Sequence, residues 1–371
     1  MANLQQIITL MSKLAPQSEA MDWDNVGIQV GDYSNNIEKV LISLDINNNV
    51  IDEAIDNNID LIISHHPLIF NGLKNIHTQT ATGNIIIKAI KNNIAIYSAH
   101  TNMDIAEEGL NDFLADKLDI VDPEVLSIEN EHKRYKLAVY VPMEDADNLR
   151  EVLFEKGAGV IGNYSKTSFN INGKGTFKPG DNTNPHIGNK GQNEKVKETK
   201  IETIVNSKDI QKVIKAMIRN HPYEEVAYDV YELPLQSYYT GIGRIGYLNK
   251  EITLEEYSKK IKSVLNIDKL KVRGNLNQKI KKIAICSGSG ADFINNANSQ
   301  GADLYITGDV KFHEAQLAEE LDLNLIDAGH FETEVIFKEL VFDYLKNKFK
   351  ENTLDVEIYK SKVSTNPWQY Y

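Results

Sequence analysis

Leu61–Phe70 reads LIISHHPLIF. Leu61, Ile62 and Ile63 form a short buried-strand run that ends at Ser64, His65, His66 and Pro67. Successive strand residues face opposite sides of a sheet, so two adjacent imidazoles cannot both enter an apolar core. If the chain turns at the strand end, both rings converge just beyond it, where open α/β sheets hold their ligands. Pro67 stiffens that turn and keeps His66 extended. The pair reads as half of a metal site whose other half comes from elsewhere in the chain.

Around this stretch the pattern is strand, helix, strand. Leu4–Leu14 is predicted as an amphipathic helix stopped near Pro16. In WDNVGIQVGD (23–32) the Asp24-Asn25 pair and Gly27 are turn chemistry, and Val26, Ile28 and Val30 alternate as in a half-buried strand. Strands are predicted at Lys39–Asp45 and Ile94–Ser98, and helices at Asn48–Asn58 and Thr82–Asn92. The far end repeats the alternation. Strands fall at Lys282–Cys286, Asp303–Thr307 and Leu323–Asp327, with helices at Ala291–Asn298, His313–Leu321 and Glu332–Lys350. Both ends therefore read as α/β halves of one sheet system with crossover helices.

The middle differs. Strand, helix, strand, strand, helix, strand is predicted over Lys136–Val141, Asp145–Lys156, Ser165–Thr176, Lys200–Asn206, Ile210–Arg219 and Val226–Leu233, the order of a ferredoxin-like α+β module. Lys178–Glu194 has almost no large apolar residues and reads as a mobile loop. The expected organisation is a first α/β half at 1–131, an inserted α+β domain at 132–236 and a second α/β half at 237–371.

Whole-chain properties narrow the function classes. The 371 residues exceed one ordinary core, and 42% hydrophobic with 25% charged residues describes a soluble globular chain. No basic start with a long apolar run opens the sequence, and no apolar run approaches membrane-spanning length. The single cysteine, Cys286, excludes an intramolecular disulfide framework and a multi-thiolate metal site, and fits a reducing cytoplasm. A net charge of −13 argues against wrapping nucleic acid.

Four further segments carry candidate chemistry. SAHTNMD (98–104) follows a buried strand, so His100 and Asp104 should emerge at the same sheet edge as His65 and His66. In DAGHFETE (327–334), His330 and Glu334 lie four apart, on one face of a first helical turn. His65, His66, Asp104, His330 and Glu334 give three nitrogen donors and two carboxylates, more than the four ligands of a structural zinc site. They fit two metals, with Glu334 as the bridge; zinc, iron and manganese all suit such ligands. TGDVKFHEAQ (307–316) spaces Asp309 and His313 four apart, either as a pair orienting ligands or acting as acid and base, or as an N-cap beside a surface histidine. SGSG (287–290) offers a generic anion cradle or a tight turn, and GIGRIG (241–246) reads as a strand rather than a dinucleotide motif. HPYEE (221–225) either reaches a metal cleft or decorates a turn. His77, His132 and His186 are read as ordinary surface or capping residues.

WDNVGIQVG, SHHPLIF, SAHTNMD, TGDVKFHEAQ and GHFETE, in that order, resemble the NIF-three-like family, whose bacterial members carry the name GTP cyclohydrolase 1 type 2 homolog. The middle segment resembles the PII/CutA-like domain of its longer members. The resemblance implies a two-metal centre in a toroidal homohexamer. It assigns His66 and Asp104 to one ion, His65 and His330 to the other, and Glu334 to both. The implied activity is metal-dependent hydrolysis of a nucleotide or related small molecule, with His100 or His313 moving the proton. A phosphoesterase or other amidohydrolase, or a non-catalytic metal-binding sensor or scaffold, are the competing readings.

Overall fold

The computed structural model describes residues 2–369, which form two compact units: one from the segments before Asn130 and after Thr240, the other spanning Glu131–Tyr239. The first unit holds two mixed sheets, where one continuous sheet system was expected.

The five-stranded sheet runs Glu357–Lys360, Lys39–Ser43, Leu61–Ser64, Ala95–Ser98 and Gly27–Val30. The first four are mutually parallel and Gly27–Val30 closes the edge antiparallel. Its central strands are buried on both faces, which explains their unbroken aliphatic runs. Helices Asn48–Asp56 and Ala81–Lys91 make the crossovers, capped by Asn47 and Thr80.

The six-stranded sheet runs Lys271–Arg273, Asn324–Asp327, Leu304–Gly308, Lys279–Ser289, Tyr238–Thr253 and Val121–His132. Its three neighbouring strands Asn324–Asp327, Leu304–Gly308 and Lys279–Ser289 are parallel. The two sheets exchange ends of the chain: the C-terminal Glu357–Lys360 pairs in the first and Val121–His132 in the second. Predicted helix Glu332–Lys350 is broken into His330–Glu334 and Phe337–Glu351, with a two-residue turn between them. That break leaves Glu334 on its own short helix, buried beneath the strand ends.

The second unit is a four-stranded antiparallel sheet in the order Tyr228–Glu232, Arg134–Pro142, Glu194–Asn206, Phe169–Phe177. Helices Ala146–Glu155 and Ser207–Asn220 pack on it through Leu149, Leu153, Val213 and Met217. The segment predicted as a mobile loop is irregular but tied to itself: Gly191 N donates to Pro179 O (2.8 Å) and Asn189 N to Glu194 Oε1 (2.9 Å). Among the described residues no helix is long and apolar enough to cross a membrane.

Candidate metal centre

In the five-stranded sheet, Leu61–Ser64 and Ala95–Ser98 end side by side, with Ser64 paired to Ser98 and their hydroxyls 2.9 Å apart. The next residues therefore leave the sheet together. His65 is fully buried, and its Nδ1 meets Ala99 O at 2.8 Å. His66 turns its Nδ1 to Asp45 Oδ1 (2.6 Å), at the end of the adjoining strand. His330 turns its Nδ1 to Asp309 Oδ2 (2.7 Å). In each ring Nδ1 is committed to an oxygen, so the neutral tautomer carries its lone pair on Nε2.

All three Nε2 atoms face Glu334. His66 Nε2 and His330 Nε2 each lie 3.0 Å from Glu334 Oε2 and 3.4 Å from one another. His65 Nε2 lies 3.7 Å from both Glu334 Oε1 and Asp104 Oδ1. The side chains named from sequence, His65, His66, Asp104, His330 and Glu334, thus meet at one place. Their contacts group His65 with Asp104, and His66 with His330. The family pattern had paired His66 with Asp104 and His65 with His330.

Buried His65 Nε2 has no hydrogen-bond partner among the described residues, and Glu334 Oε2 sits between two ring nitrogens without a well-directed bond to either. Orphaned buried polar atoms carry a desolvation cost of ~1–3 kcal/mol each. Three ring nitrogens converging on buried carboxylates form a donor set that a cation would fill in place of ring protons. Nitrogen and oxygen donors without thiolate suit a divalent ion of borderline or hard character. His66, His330 and Glu334, or His65, His66 and His100, bring ligand atoms within 4.8 Å of one another, so the cluster is able to hold a metal ion.

Without an ion the cluster balances charge through its imidazoles. Burial alone would push Glu334 up, but His65, His330 and His66 hold its carboxyl well below the usual range. Burial opposes protonation of His66, yet Asp45 and Glu334 raise it to about 10. The hydrogen bond to Glu334 raises His330 to about 9 despite burial. Burial keeps Asp104 above its ordinary value against the pull of His65.

Surrounding residues extend the site in ways the sequence reading missed. Asp24, taken as turn chemistry, contacts His100 Nδ1 through both oxygens (3.0 and 3.1 Å) and accepts from Thr101 N at 3.0 Å and Thr101 Oγ1 at 2.5 Å. Burial would raise its carboxyl, but these bonds lower it to about 2. Asp309 pairs with His330, not with His313. His313 is exposed on helix Phe312–Glu320, bonded to Gln316 Oε1 at 2.9 Å, and is not part of the cluster.

SGSG is not an anion cradle. The strand continues to Ser289, and the segment's N–H groups are taken: Ser287 by Asn111 Oδ1 (2.9 Å), Gly288 by Thr333 Oγ1 (3.0 Å) and Gly290 by Thr307 Oγ1 (2.9 Å). Ser287 Oγ reaches Asp104 Oδ1 at 3.3 Å. Cys286, just before it, is buried, which pushes its thiol up and disfavours the thiolate.

Fold and cluster together define a mixed α/β protein with a histidine–carboxylate centre able to take a metal. Residues 2–367 match the model of the Duf34/NIF3 (NGG1p interacting factor 3) family, and the chain belongs to that family. It is 44% identical over 369 residues to a Halalkalibacterium halodurans protein named GTP cyclohydrolase 1 type 2 homolog, covering 100% of this chain and 99% of the relative. The Bacillus subtilis protein of the same name is 42% identical over 368 residues, covering 99% of this chain and 98% of that one. Among solved structures, a Bacillus cereus protein related to NIF3 superposes with a TM-score of 0.91 at 43% identity, covering 100% of this chain and 99% of that one. The likeness carried by the sequence motifs is borne out.

Proposed function

We propose that the chain is a dinuclear divalent-metal protein that hydrolyses a nucleotide or a related small molecule. One observation carries the reading: Glu334 directs Oε1 toward His65 and Oε2 toward His66 and His330, as a carboxylate shared between two ions would. His65, Asp104 and Glu334 would hold one ion; His66, His330 and Glu334 the other. Zinc, iron and manganese fit this donor set. When bound, such a pair supplies Lewis-acid polarisation and an acidified water.

The chain's own groups account for the remaining work. Asp24 fixes the ring of His100, whose other nitrogen is then free to take or return a proton. Trp23 and Phe70 are 57% and 49% exposed, with ring centroids 6.1 and 6.4 Å from that of His100. They offer faces on which a planar heterocycle stacks. Beside His66 lies a cleft of about 220 Å³, lined by the first turns of helices Asn48–Asp56 and Ala81–Lys91. The two helix N-termini favour an anionic group there, against the Asp45 carboxylate that also lines the cleft. A planar base with phosphates also agrees with the name that the relatives carry.

We further read 132–236 as an inserted ferredoxin-like, PII/CutA-like module between the two halves, 1–131 and 237–371. Its βαββαβ chain order and fully antiparallel sheet support this. Self-association as a toroidal homohexamer is proposed on the family resemblance, and a cytoplasmic location on the single cysteine.

The test is metal analysis of the purified protein, then incubation of the metal-loaded form with GTP and other nucleotides, assaying both free phosphate and ring-opened product. About two ions per chain and turnover that Glu334→Gln abolishes are expected. Two ions without any product would leave a metal-binding sensor or scaffold; no bound ion would remove the reading altogether.

A further inference from the structure

The second unit contains a cavity of about 340 Å³ whose chemistry differs from that of the metal centre. Its rings come from Tyr140, Phe177, His186 and Tyr223, with the Phe177 and Tyr223 centroids 5.9 Å apart. Its polar groups include Glu198, Glu224 and Glu225, and among the described residues no lysine or arginine lines it.

Glu198 is the centre of this arrangement. It is only 9% exposed. Tyr223 Oη donates to its Oε1 at 3.0 Å, and Oε2 turns toward Gly175. Burial and the adjacent carboxylate hold the Tyr223 phenol above its ordinary value, so it remains a donor. His221 holds Tyr223 in place: its Nε2 donates to Tyr140 O (2.9 Å) and its Nδ1 accepts from Tyr223 N (3.0 Å). Gly175 clears space for Glu198 Oε2, since a β-carbon there would lie 2.0 Å from it. The polar loop closes the wall through Pro179, Pro185 and Ile187, and Asn184 N ties it to Glu224 Oε1 at 2.9 Å.

A carboxylate only 9% exposed, beside aromatic faces and with no lysine or arginine among the described residues of the lining, is complementary to a positive charge on a compact body. We propose that this cavity binds a small organic cation, an amine or guanidinium, with its charge on Glu198 Oε2 and its body against Phe177, Tyr223 and Tyr140. Anionic ligands are excluded by the same lining.

Calorimetric titration of the full chain with agmatine, spermidine and phenethylamine tests this, with phenylpropionate and phenylethanol as anionic and neutral counterparts. At least one cation should bind, the anion should not, and Glu198→Gln should weaken the cation by about tenfold or more. Tyr223→Phe, which keeps the ring and the charge, should weaken it less. Unchanged thermal melts and metal content serve as folding controls, and if Glu198→Gln fails to fold the preference of the unmodified protein for phenethylamine over phenylethanol and phenylpropionate decides. Binding of the neutral compound as tightly as the amine, no binding by any cation, or equal affinity in the variants would each overturn the proposal. Calcium chloride binding at Glu198 in place of the amines would do the same.

Discussion

Gly288 leaves open the space that Glu334 fills: a β-carbon at Gly288 would lie 2.0 Å from Glu334 Oε1. Gly288 also has φ +62°, in the left-handed region where a β-carbon costs ~1–2 kcal/mol. Gly288→Ala should therefore shift Glu334 and lower metal affinity by roughly 10–100-fold, the scale seen when a ligand loses its support. Elemental analysis after dialysis against a limiting chelator reads this directly. A variant that keeps full metal content would show that Glu334 is not held where the ions need it.

The orienting carboxylates are the next test. Asp45 and Asp309 touch His66 and His330 only through Nδ1. Asp45→Asn and Asp309→Asn should each reduce metal affinity by ~10–100-fold while leaving the ring nitrogens present. His313→Ala should leave both metal content and any turnover unchanged, because His313 points into solvent against Gln316. Loss of turnover in that variant would restore it as a proton carrier and weaken the case for His100.

Much of this centre could be read in the sequence because strand ends are legible. LIIS, AIYS and NLID are aliphatic runs that stop at a polar residue, and His65, His66, Asp104, His330 and Glu334 follow such stops. Their supports were not legible. Asp24 acts on His100 from 76 positions away, Asp45 and Asp309 each act across 21, and no periodicity marks such pairs. Edge strands were missed for a related reason. Val121–His132 carries Pro123 and many charges, which argue against a strand, yet it lies at the border of its sheet where both are tolerated. Lys271–Arg273 and Glu357–Lys360, short and flanked by charge, lie at sheet borders as well. The helix break after Glu334 had no proline or glycine to announce it; it is set by burial of Thr333 and Glu334 against the sheet.

Acidity gives the centre a definite pH response. In the metal-free protein His66 and His330 have values raised from 6.5 to about 10 and about 9. The stability these pairs contribute is complete below the unfolded value of 6.5 and declines as pH rises from there, until it is lost at the folded values of about 9 and about 10. Melting temperatures of the metal-free form should therefore fall across that window. Metal binding runs the opposite way, since each ion must displace ring protons: affinity should rise from roughly pH 6 to about pH 10, with proton release in buffers of different ionisation enthalpy. A metal affinity independent of pH would mean the rings are already neutral.

A final prediction concerns Arg244, inside the GIGRIG segment. The strand expected there is present, but its arginine is 3% exposed. Nε and Nη2 reach the two oxygens of Asp112 at 2.6 and 2.7 Å, and the remaining N–H groups reach the carbonyls of Gly241, Gly243 and Ala106. Ala106 caps the short helix Thr101–Ile105 that carries Asp104, so this guanidinium joins the second sheet to the segment bearing a proposed ligand. Asp112→Ala leaves the buried charge without its partner, a loss of about 3 kcal/mol at the lower end of the range for such pairs. With ~2–4 °C per kcal/mol for a unit of this size, the melting temperature should drop by about 6–12 °C. Arg244→Leu strands three carbonyls and leaves Asp112 unpaired, but that carboxylate is 26% exposed and reaches water where the guanidinium at 4% does not, so its drop should be smaller. Equal drops would show that the carbonyl bonds, rather than the ion pair, dominate this junction.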